Sequence, residues 1–300
     1  RDIIALASSP ASTPGSGDGS GNPLFPLLKA AVRCLNAWVR LDDSGASGCG
    51  VSPAELEALS PGILSCLLHL LAPPPAAAVV RQSDAEAVAA VRTAVADLLT
   101  DLIGSSGKTC TAAAGGEAAD AAAVTVVVQQ LVPVGRQAAE SLGAATSAGS
   151  SEATAAGAAA VTVALSGVVA AVRVAVAVAE RNPGGVATGP GEAAVELASM
   201  VVAAVAASPS RREVTGEACD FFLAINSVPS AERHPALCAP LFGALLPLLA
   251  GGVAYPAGFR GWEEEVEEDE EAWAMFREQQ AAELLENMYG QCRTALVAQL

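Results

Sequence analysis

The strongest constraint on the fold is the helical spacing of apolar residues along most of the chain. Leu28, Val32, Leu35 and Val39 recur every three or four residues, and a longer stripe of the same kind begins at Val88. Such spacing places the side chains on one face of an α-helix, whereas a half-buried strand would alternate at every second residue. No segment of any length shows that alternation. The sequence therefore predicts an all-α protein.

Composition and local signals agree with helices. The chain is 52% apolar but only 4% aromatic, so most of its apolar surface is Ala, Val and Leu, which suit close helix–helix packing. Ser52, Pro53 and Glu55 have the pattern of a helix N-cap followed by proline at the first helical position. This pattern predicts one helix that runs to the prolines at 73–75. Ser83, with Glu at the third following position, predicts a second capped helix start.

The helices are expected to come in pairs. Residues 1–22 are an N-terminal stub and a Ser/Gly/Pro-rich flexible linker, and residues 23–300 contain the helical patterns. The patterns repeat at roughly 40–47 residues, the period typical of HEAT repeats, so about six or seven pairs would fit. We therefore expect a HEAT/armadillo-type α-solenoid, a superhelix of antiparallel helix pairs. Gly/Ala/Ser/Thr tracts near 104–118 and 143–157 predict flexible insertions in loops.

One segment requires a test for membrane insertion. Residues 153–172 carry no charge, but they are mostly Ala, Val, Gly and Thr, which insert much less readily than Leu, Ile or Phe. The larger apolar residues form a single helical stripe, which favours a buried solenoid helix over a transmembrane one, and we expect no membrane partner. The stripe consists of Val161, Leu165, Val168, Val172 and Val176.

The sequence carries no pattern typical of an enzyme. It has no nucleophile elbow, phosphate-binding loop or zinc-protease helix motif, and its two histidines, His69 and His234, are far apart in the sequence. The seven cysteines are scattered and odd in number, which predicts reduced thiols, mostly in the core, and an intracellular compartment. We expect a protein that is not an enzyme and needs no cofactor or metal.

The charge of the chain is strongly negative and unevenly spread. The formal net charge is −16, and eight of the nine residues from Glu263 to Glu271 are acidic. A chain without clustered Lys and Arg is a poor match for nucleic acid, so a basic protein partner is the better expectation. This acidic loop is a candidate partner-binding surface; the alternative is a plain solvated loop. Its acidic residues are Glu263, Glu264, Glu265, Glu267, Glu268, Asp269, Glu270 and Glu271.

Aromatic residues flank the acidic run on both sides. Trp262 precedes it and Trp273 follows it, although the chain has only three tryptophans. Five residues after the run are spaced so that they share one helical face. This spacing predicts that the aromatic rings anchor packed helices and that the acids lie in solvent. These are Trp273, Phe276, Gln280, Leu284 and Met288.

Three stretches together resemble a known family. "VRCLNAWVRL" (32–41) is similar to a helix start that begins with Cys-Leu and a nearby Trp, and "EACDFFLAINSV" (217–228) to a helix with an aromatic pair. The third is "LFGALLPLL" followed by the acidic run, Trp273 and Phe276–Arg277. Their order and separation resemble importin-β-type karyopherins of the transportin-SR and importin-13 kind, although Phe222 stands where tryptophan is usual. The matching anchors are Trp38, Phe221, Phe222, Trp262, Trp273, Phe276 and Arg277.

The resemblance implies a nuclear transport receptor that shuttles between nucleus and cytoplasm. Its partners would be cargo proteins, including basic or Arg/Ser-rich ones, the GTPase Ran, and nucleoporins, with Ran bound mostly through repeats that lie outside this chain. The chain would then be a central HEAT-repeat fragment, and transport would be import. The alternative is a generic HEAT or armadillo scaffold or regulatory subunit of a larger complex.

Overall fold

The structure is a computed structural model that describes residues 23–41, 51–73, 82–105, 116–147, 155–188, 192–208, 211–255 and 267–299. Within these residues every regular element is helical, which confirms the all-α prediction. The chain forms two compact units, Arg1–Val174 and Ala175–Leu300, which we call unit 1 and unit 2.

The structure describes twelve α-helices. In chain order they are α1 Leu24–Leu41, α2 Pro53–Leu59, α3 Ile63–Leu71, α4 Gln82–Ser105, α5 Gly116–Ser147, α6 Ala155–Arg181, α7 Pro183–Thr188, α8 Glu192–Ala207, α9 Arg212–Asn226, α10 Ala239–Val253, α11 Glu267–Met275 and α12 Ala282–Gln299. A 3₁₀ turn, Pro235–Leu237, precedes α10, and a π-helical turn, Phe276–Ala281, joins α11 to α12. The path of α12 kinks at Arg293, where φ is +29°.

The structure has two helices, α2 and α3, where the sequence predicted one. The Ser52 cap forms as expected, because Glu55 N–H donates to Ser52 Oγ at 3.3 Å and Ser52 N–H donates to Glu55 Oε2 at 3.0 Å. The chain then bends by 111° between α2 and α3. Gly62 has φ +84°, a left-handed conformation that a glycine adopts without strain. The Glu57 carboxylate accepts from the N–H groups of Gly62 and Leu64, so an acid supplies the N-terminal cap of α3.

Three helix boundaries differ from the sequence prediction. Helix α4 begins at Gln82, so Ser83 lies inside it and is not its cap; Gln82 Nε2 instead donates to Glu86 Oε1 at 3.2 Å. Helix α5 begins at Gly116 and ends at Ser147, and α6 begins at Ala155. The predicted insertions near 104–118 and 143–157 are therefore helical at their edges, because Ala-rich sequence extends a helix readily. Their central parts, 106–115 and 148–154, and the linker 1–22 lie outside the described residues.

Unit 1 packs α1 against α4 and packs α2 and α3 against α5. Val32 and Val39, from the stripe predicted on α1, are buried, and the α4 stripe from Val91 to Leu102 is buried over most of its length. A small cluster of Ala85, Ala159 and Val163 joins α4 to α6. The predicted amphipathic stripes thus supply the contacts between helices in this unit.

A buried arginine binds three chain segments together in unit 1. Arg92 on α4 is 1% exposed, and its guanidinium donates to Leu70 O, Ala72 O, Val163 O and Ser166 Oγ. The first two oxygens lie at the C-terminal end of α3, where helix carbonyls lack intrahelical partners and attract positive charge. Burial lowers the pKa of Arg92 to about 10, so the side chain is charged at neutral pH.

Unit 2 is built around the aromatic residues of α9 and α10. Phe221 and Phe222 meet edge to face with ring centroids 5.3 Å apart, and Phe222 meets Phe242 of α10 at 6.2 Å. Arg233 closes the turn after α9, donating to Asn226 Oδ1 at 2.7 Å and to Val228 O at 2.6 Å. These contacts fix α9, which positions the site described below.

Three of the described helices are long and apolar enough to cross a membrane by length and composition, or four if the bent pair α2–α3 counts as one span. They are Ala118–Ser147, Ala155–Arg181 and Pro235–Val253. The most apolar window of Ala155–Arg181 is 67% buried against the rest of the protein. Of its predicted stripe, Leu165 is half-buried and the other four residues are buried, which agrees with a helix packed inside the protein.

Candidate functional site

The second half of the acidic run is helical. Helix α11 begins at Glu267, so residues 267–271 of the predicted acidic loop are helical. Acidic residues in the first turn of a helix are favoured by its positive N-terminal dipole, which explains why this end of the run folds. Glu270 and Glu271 are exposed, as expected for acids that face solvent. Trp262 and Glu263–Val266 lie outside the described residues.

An aromatic and cationic cluster follows the acids on α11. The Trp273 ring is 3% exposed and stacks on Tyr255 with centroids 4.5 Å apart. The Arg277 guanidinium carbon lies 4.9 Å from the Trp273 centroid and 5.4 Å from the Tyr255 centroid, and Arg277 Nη1 donates to Tyr255 Oη at 3.2 Å. Arg212 of α9 lies 5.5 Å from the Trp273 centroid. Each cation–π contact contributes about 0.5–1 kcal/mol, so the cluster holds α11 against the start of α9.

The π-helical turn fixes the acidic helix to the core of unit 2. Phe276 is buried and lies close to Gly216 of α9 and Gly252 of α10. A Cβ at Gly216 would lie 3.0 Å from Gln280 Oε1, so a larger residue at this position would require the Gln280 side chain to shift. On the face predicted from spacing, Trp273, Phe276, Leu284 and Met288 are buried and Gln280 is half-buried. That prediction is confirmed.

A cavity of about 450 Å³ opens beside α9. Its lining combines the carboxylates of Glu180 and Asp220 with Pro183, Leu223, Ala224 and Ser227. Burial, and then the carboxylates of Glu217, Glu180 and Glu283, raise the pKa of Asp220, while a hydrogen bond with the Gln280 side chain lowers it. Every charged group that acts on Asp220 is thus negative. We call this the Asp220 cavity.

The Asp220 cavity and the acids of α11 belong to the same unit and are connected by the π-helical turn. The cavity presents two carboxylates beside an apolar wall, a combination that suits the ammonium or guanidinium head and the aliphatic stem of Lys or Arg. Among the described residues no group of three His, Cys, Asp or Glu is arranged to hold a metal ion. The described lining therefore offers negative charge and apolar surface side by side.

The remaining predicted anchors divide into two groups. Phe221 and Phe222 are fully buried, and Arg277 is exposed with its guanidinium on the aromatic cluster. Trp38, named as an anchor from the resemblance, is 44% exposed. The buried face of α1 contains Val32 and Val39; Trp38, adjacent to Val39, lies about 100° around the helix. Cys34, expected in the core, is also exposed.

Sequence reasoning missed the Asp220 cavity. Asp220 and Glu217 are one helical turn apart on α9, a spacing that does signal a shared face. Glu180 is contributed by α6 and Gln280 by the π-helical turn, and no local pattern links these distant positions. Arg212 was missed for the same reason, because its contact with Trp273 spans sixty-one positions of sequence.

Comparison with known proteins gives no identification: no family model, no curated protein and no solved structure matches the chain.

Proposed function

We propose that this chain is a non-catalytic segment of a nuclear transport receptor of the importin-β type, resembling the transportin-SR and importin-13 kind, and that unit 2 binds basic segments of cargo proteins. Its helices would be successive members of a HEAT-type superhelix. The receptor would shuttle between nucleus and cytoplasm, import cargo, and contact Ran and nucleoporins mainly through other parts of the protein.

The observation that carries this proposal is the concentration of carboxylates around one recognition-type cavity. Unit 2 has seven Lys and Arg against eighteen Asp and Glu, a net charge of −11, whereas unit 1 has nine against fourteen, a net charge of −5. A surface of this sign steers basic partners and repels acidic ones. Exposed Glu270 and Glu271 and the Asp220 cavity supply the contacts of this surface that the structure describes.

The Asp220 cavity gives the proposal a specific contact. A Lys or Arg side chain of the cargo would place its methylene groups on Leu223 and Pro183 and its charge near Asp220 and Glu180. A cation there would relieve the repulsion among the carboxylates that raise the pKa of Asp220. Partly buried sites of this kind resist salt better than fully exposed ion pairs do.

Binding of a labelled Arg/Ser-rich peptide, followed by fluorescence anisotropy, tests the cargo site. Neutralising Asp220 and Glu180 together (Asp220→Asn, Glu180→Gln) should weaken binding about five- to tenfold, as two lost charge contacts would. The matched control is Glu140→Gln, an exposed acid on α5 of unit 1, which should change affinity less than about twofold. Equal affinity for the double variant and the unaltered chain would remove the Asp220 cavity from the proposal.

The acidic run requires its own variant. Replacing Glu263–Glu265 and Glu267–Glu268 with Gln should weaken binding of the same peptide, because fewer charges then attract it. The affinity should also depend less steeply on salt concentration. Unchanged binding would indicate a solvated segment that touches no cargo.

The transport role is tested separately with Ran. The full-length protein should be retained by Ran locked in its GTP state and not by the GDP state. A protein that binds the basic peptide with no dependence on Ran's nucleotide would instead be a generic HEAT or armadillo scaffold. The peptide experiment tests the binding of basic cargo and the Ran experiment tests the transport role, so either proposal can be rejected without the other.

A further inference from the structure

Unit 1 contains a groove whose charge is opposite to that of the chain as a whole. The groove lies between α1 and α4 and has a volume of about 470 Å³. Helix α1 contributes Lys29, Arg33 and Arg40, spaced four and seven residues apart and therefore on one helix face. Helix α4 contributes Ala90 and Ala94, whose small side chains leave the floor open, together with Thr93 and Asp97. Three of the six described basic residues of unit 1 line this one groove.

The two ends of the groove differ in charge balance. At one end Arg40 Nε lies 2.6 Å from Asp101 Oδ2, so that guanidinium already has a partner. At the other end, Lys29 and Arg33 have no carboxylate within salt-bridge distance among the described residues. Arg33 is exposed and Lys29 is half-buried, so both can reach a ligand laid along the groove. The Lys29–Arg33 end is therefore cationic, and no carboxylate in the described part of the chain is paired with it.

The polar groups of the groove favour a peptide over a nucleic acid. Asn36 lines the groove; its side-chain carbonyl oxygen is buried and accepts no hydrogen bond in the described part of the chain, so the amide must rotate to present this oxygen to a ligand. An amide plane that turns toward a ligand can accept from peptide N–H groups, which a sugar–phosphate backbone does not offer. Asp97 acts on Arg40, so it lies near that end of the groove, where it would repel the unbroken line of phosphates of a nucleic acid; a peptide can confine its carboxylates to the Lys29–Arg33 end. Among the described lining residues there is also no aromatic ring on which a base could stack.

We infer that the groove between α1 and α4 binds an acidic peptide segment of a partner protein, with carboxylates on Lys29 and Arg33 and the peptide backbone on Asn36. This interaction is separate from the binding of basic cargo by unit 2 and does not depend on it. It gives the chain two sites of opposite charge preference, each in its own unit.

The test is anisotropy of a short labelled peptide of alternating Glu and Ser on the whole chain at low ionic strength, with the Gln/Ser peptide as the uncharged reference. Reversing both cations (Lys29→Glu, Arg33→Glu) should weaken binding of the Glu/Ser peptide by about tenfold or more, because two attractions become repulsions. The control is Arg136→Glu, an exposed cation on α5 outside the groove, which should change affinity less than about twofold. Circular dichroism melting should be the same for all three proteins, since the altered side chains carry no described internal ion pair.

Two outcomes would overturn the inference. One is failure of the Glu/Ser peptide to bind more tightly than the Gln/Ser peptide, or an effect of Arg136→Glu as large as that of the double reversal. The other is displacement of the bound peptide by a single-stranded oligonucleotide at much lower concentration than by unlabelled Glu/Ser peptide, which would assign the groove to nucleic acid.

Discussion

Replacing Arg92 with methionine probes the least expected feature of unit 1, a buried charge that no carboxylate among its described partners neutralises. The guanidinium is bound instead by oxygens at the end of α3 and on α6, with Nη2–Ala72 O at 2.5 Å, Nη1–Ser166 Oγ at 3.2 Å and Nε–Leu70 O at 3.4 Å, and a further bond to Val163 O. Methionine fills much of the same volume but donates no hydrogen bond. The substitution therefore removes the donor and leaves its acceptors in place.

The expected loss follows from two opposing effects. Four hydrogen bonds from a charged donor are lost, and at about 1.5 kcal/mol each, the lower end of the 1.5–3 kcal/mol usual for hydrogen bonds that involve a charged group, the loss is about 6 kcal/mol. The variant also escapes the desolvation cost of the charge, about 3 kcal/mol for a pKa lowered from 12.5 to about 10. Arg92→Met should therefore lower the free energy of unfolding by about 3 kcal/mol. Arg92→Lys should recover part of it, because an ammonium reaches fewer of the four oxygens.

Guanidinium denaturation followed by circular dichroism measures the change, and hydrogen exchange locates it. Exchange should quicken in α3, α4 and α6, where the arginine bonds converge, because local opening there becomes easier. Arg136→Met, at an exposed position of the same unit, should stay within about 0.5 kcal/mol of the unaltered chain. An Arg92→Met protein as stable as the unaltered chain would refute the reasoning, since it would mean that desolvation cancels the hydrogen bonds.

Two further predictions concern unit 2. Trp273→Ala should cost about 3–5 kcal/mol of stability in denaturant titration, because the ring is 3% exposed, while Met275→Ala, at a position 52% exposed on the same helix, should cost less than about 0.5 kcal/mol. Asp220→Asn should remove a pH dependence: the raised folded-state pKa of Asp220 contributes stability that is present below the unfolded value near 3.9 and is lost as pH rises through the folded value. The unaltered chain should therefore lose more stability than the variant between about pH 4 and pH 7, and parallel pH curves would contradict this.

Features that depend on nearby residues were predictable from the sequence. The all-α class, the Ser52 cap and the buried face from Trp273 to Met288 each follow from spacing of a few residues. The break between α2 and α3 was not predicted, although Ser60, Pro61 and Gly62 are all turn-formers. The apolar spacing continues across these three residues, which is why the sequence predicted a single helix.

Features that depend on which helices become neighbours were not predictable. Trp38 fits the helical pattern of α1 as well as Val39 does, and only the position of α4 decides that Val39 is buried and Trp38 exposed. The same holds for Arg92, whose acceptors are 20 to 74 positions away in sequence. A charged residue in the middle of an apolar stripe is ordinarily expected at the surface, and the helix end that receives it is not visible in the local pattern.

The net charge of −16 is an average that does not show how charge is distributed between the two units. Averaging the charge over the chain predicts a uniform preference for basic partners, and this was the expectation from sequence. The structure divides that average: Lys29 and Arg33 form a cationic end of one groove in unit 1, with no paired carboxylate among the described residues, and Glu180 and Asp220 line an acidic cavity in unit 2. Both sites should weaken as salt increases, since both depend on charge attraction. The two proposed sites differ in the sign of the peptide charge that they would bind. A salt titration with one peptide would therefore test only one site, so peptides of both charge signs are required.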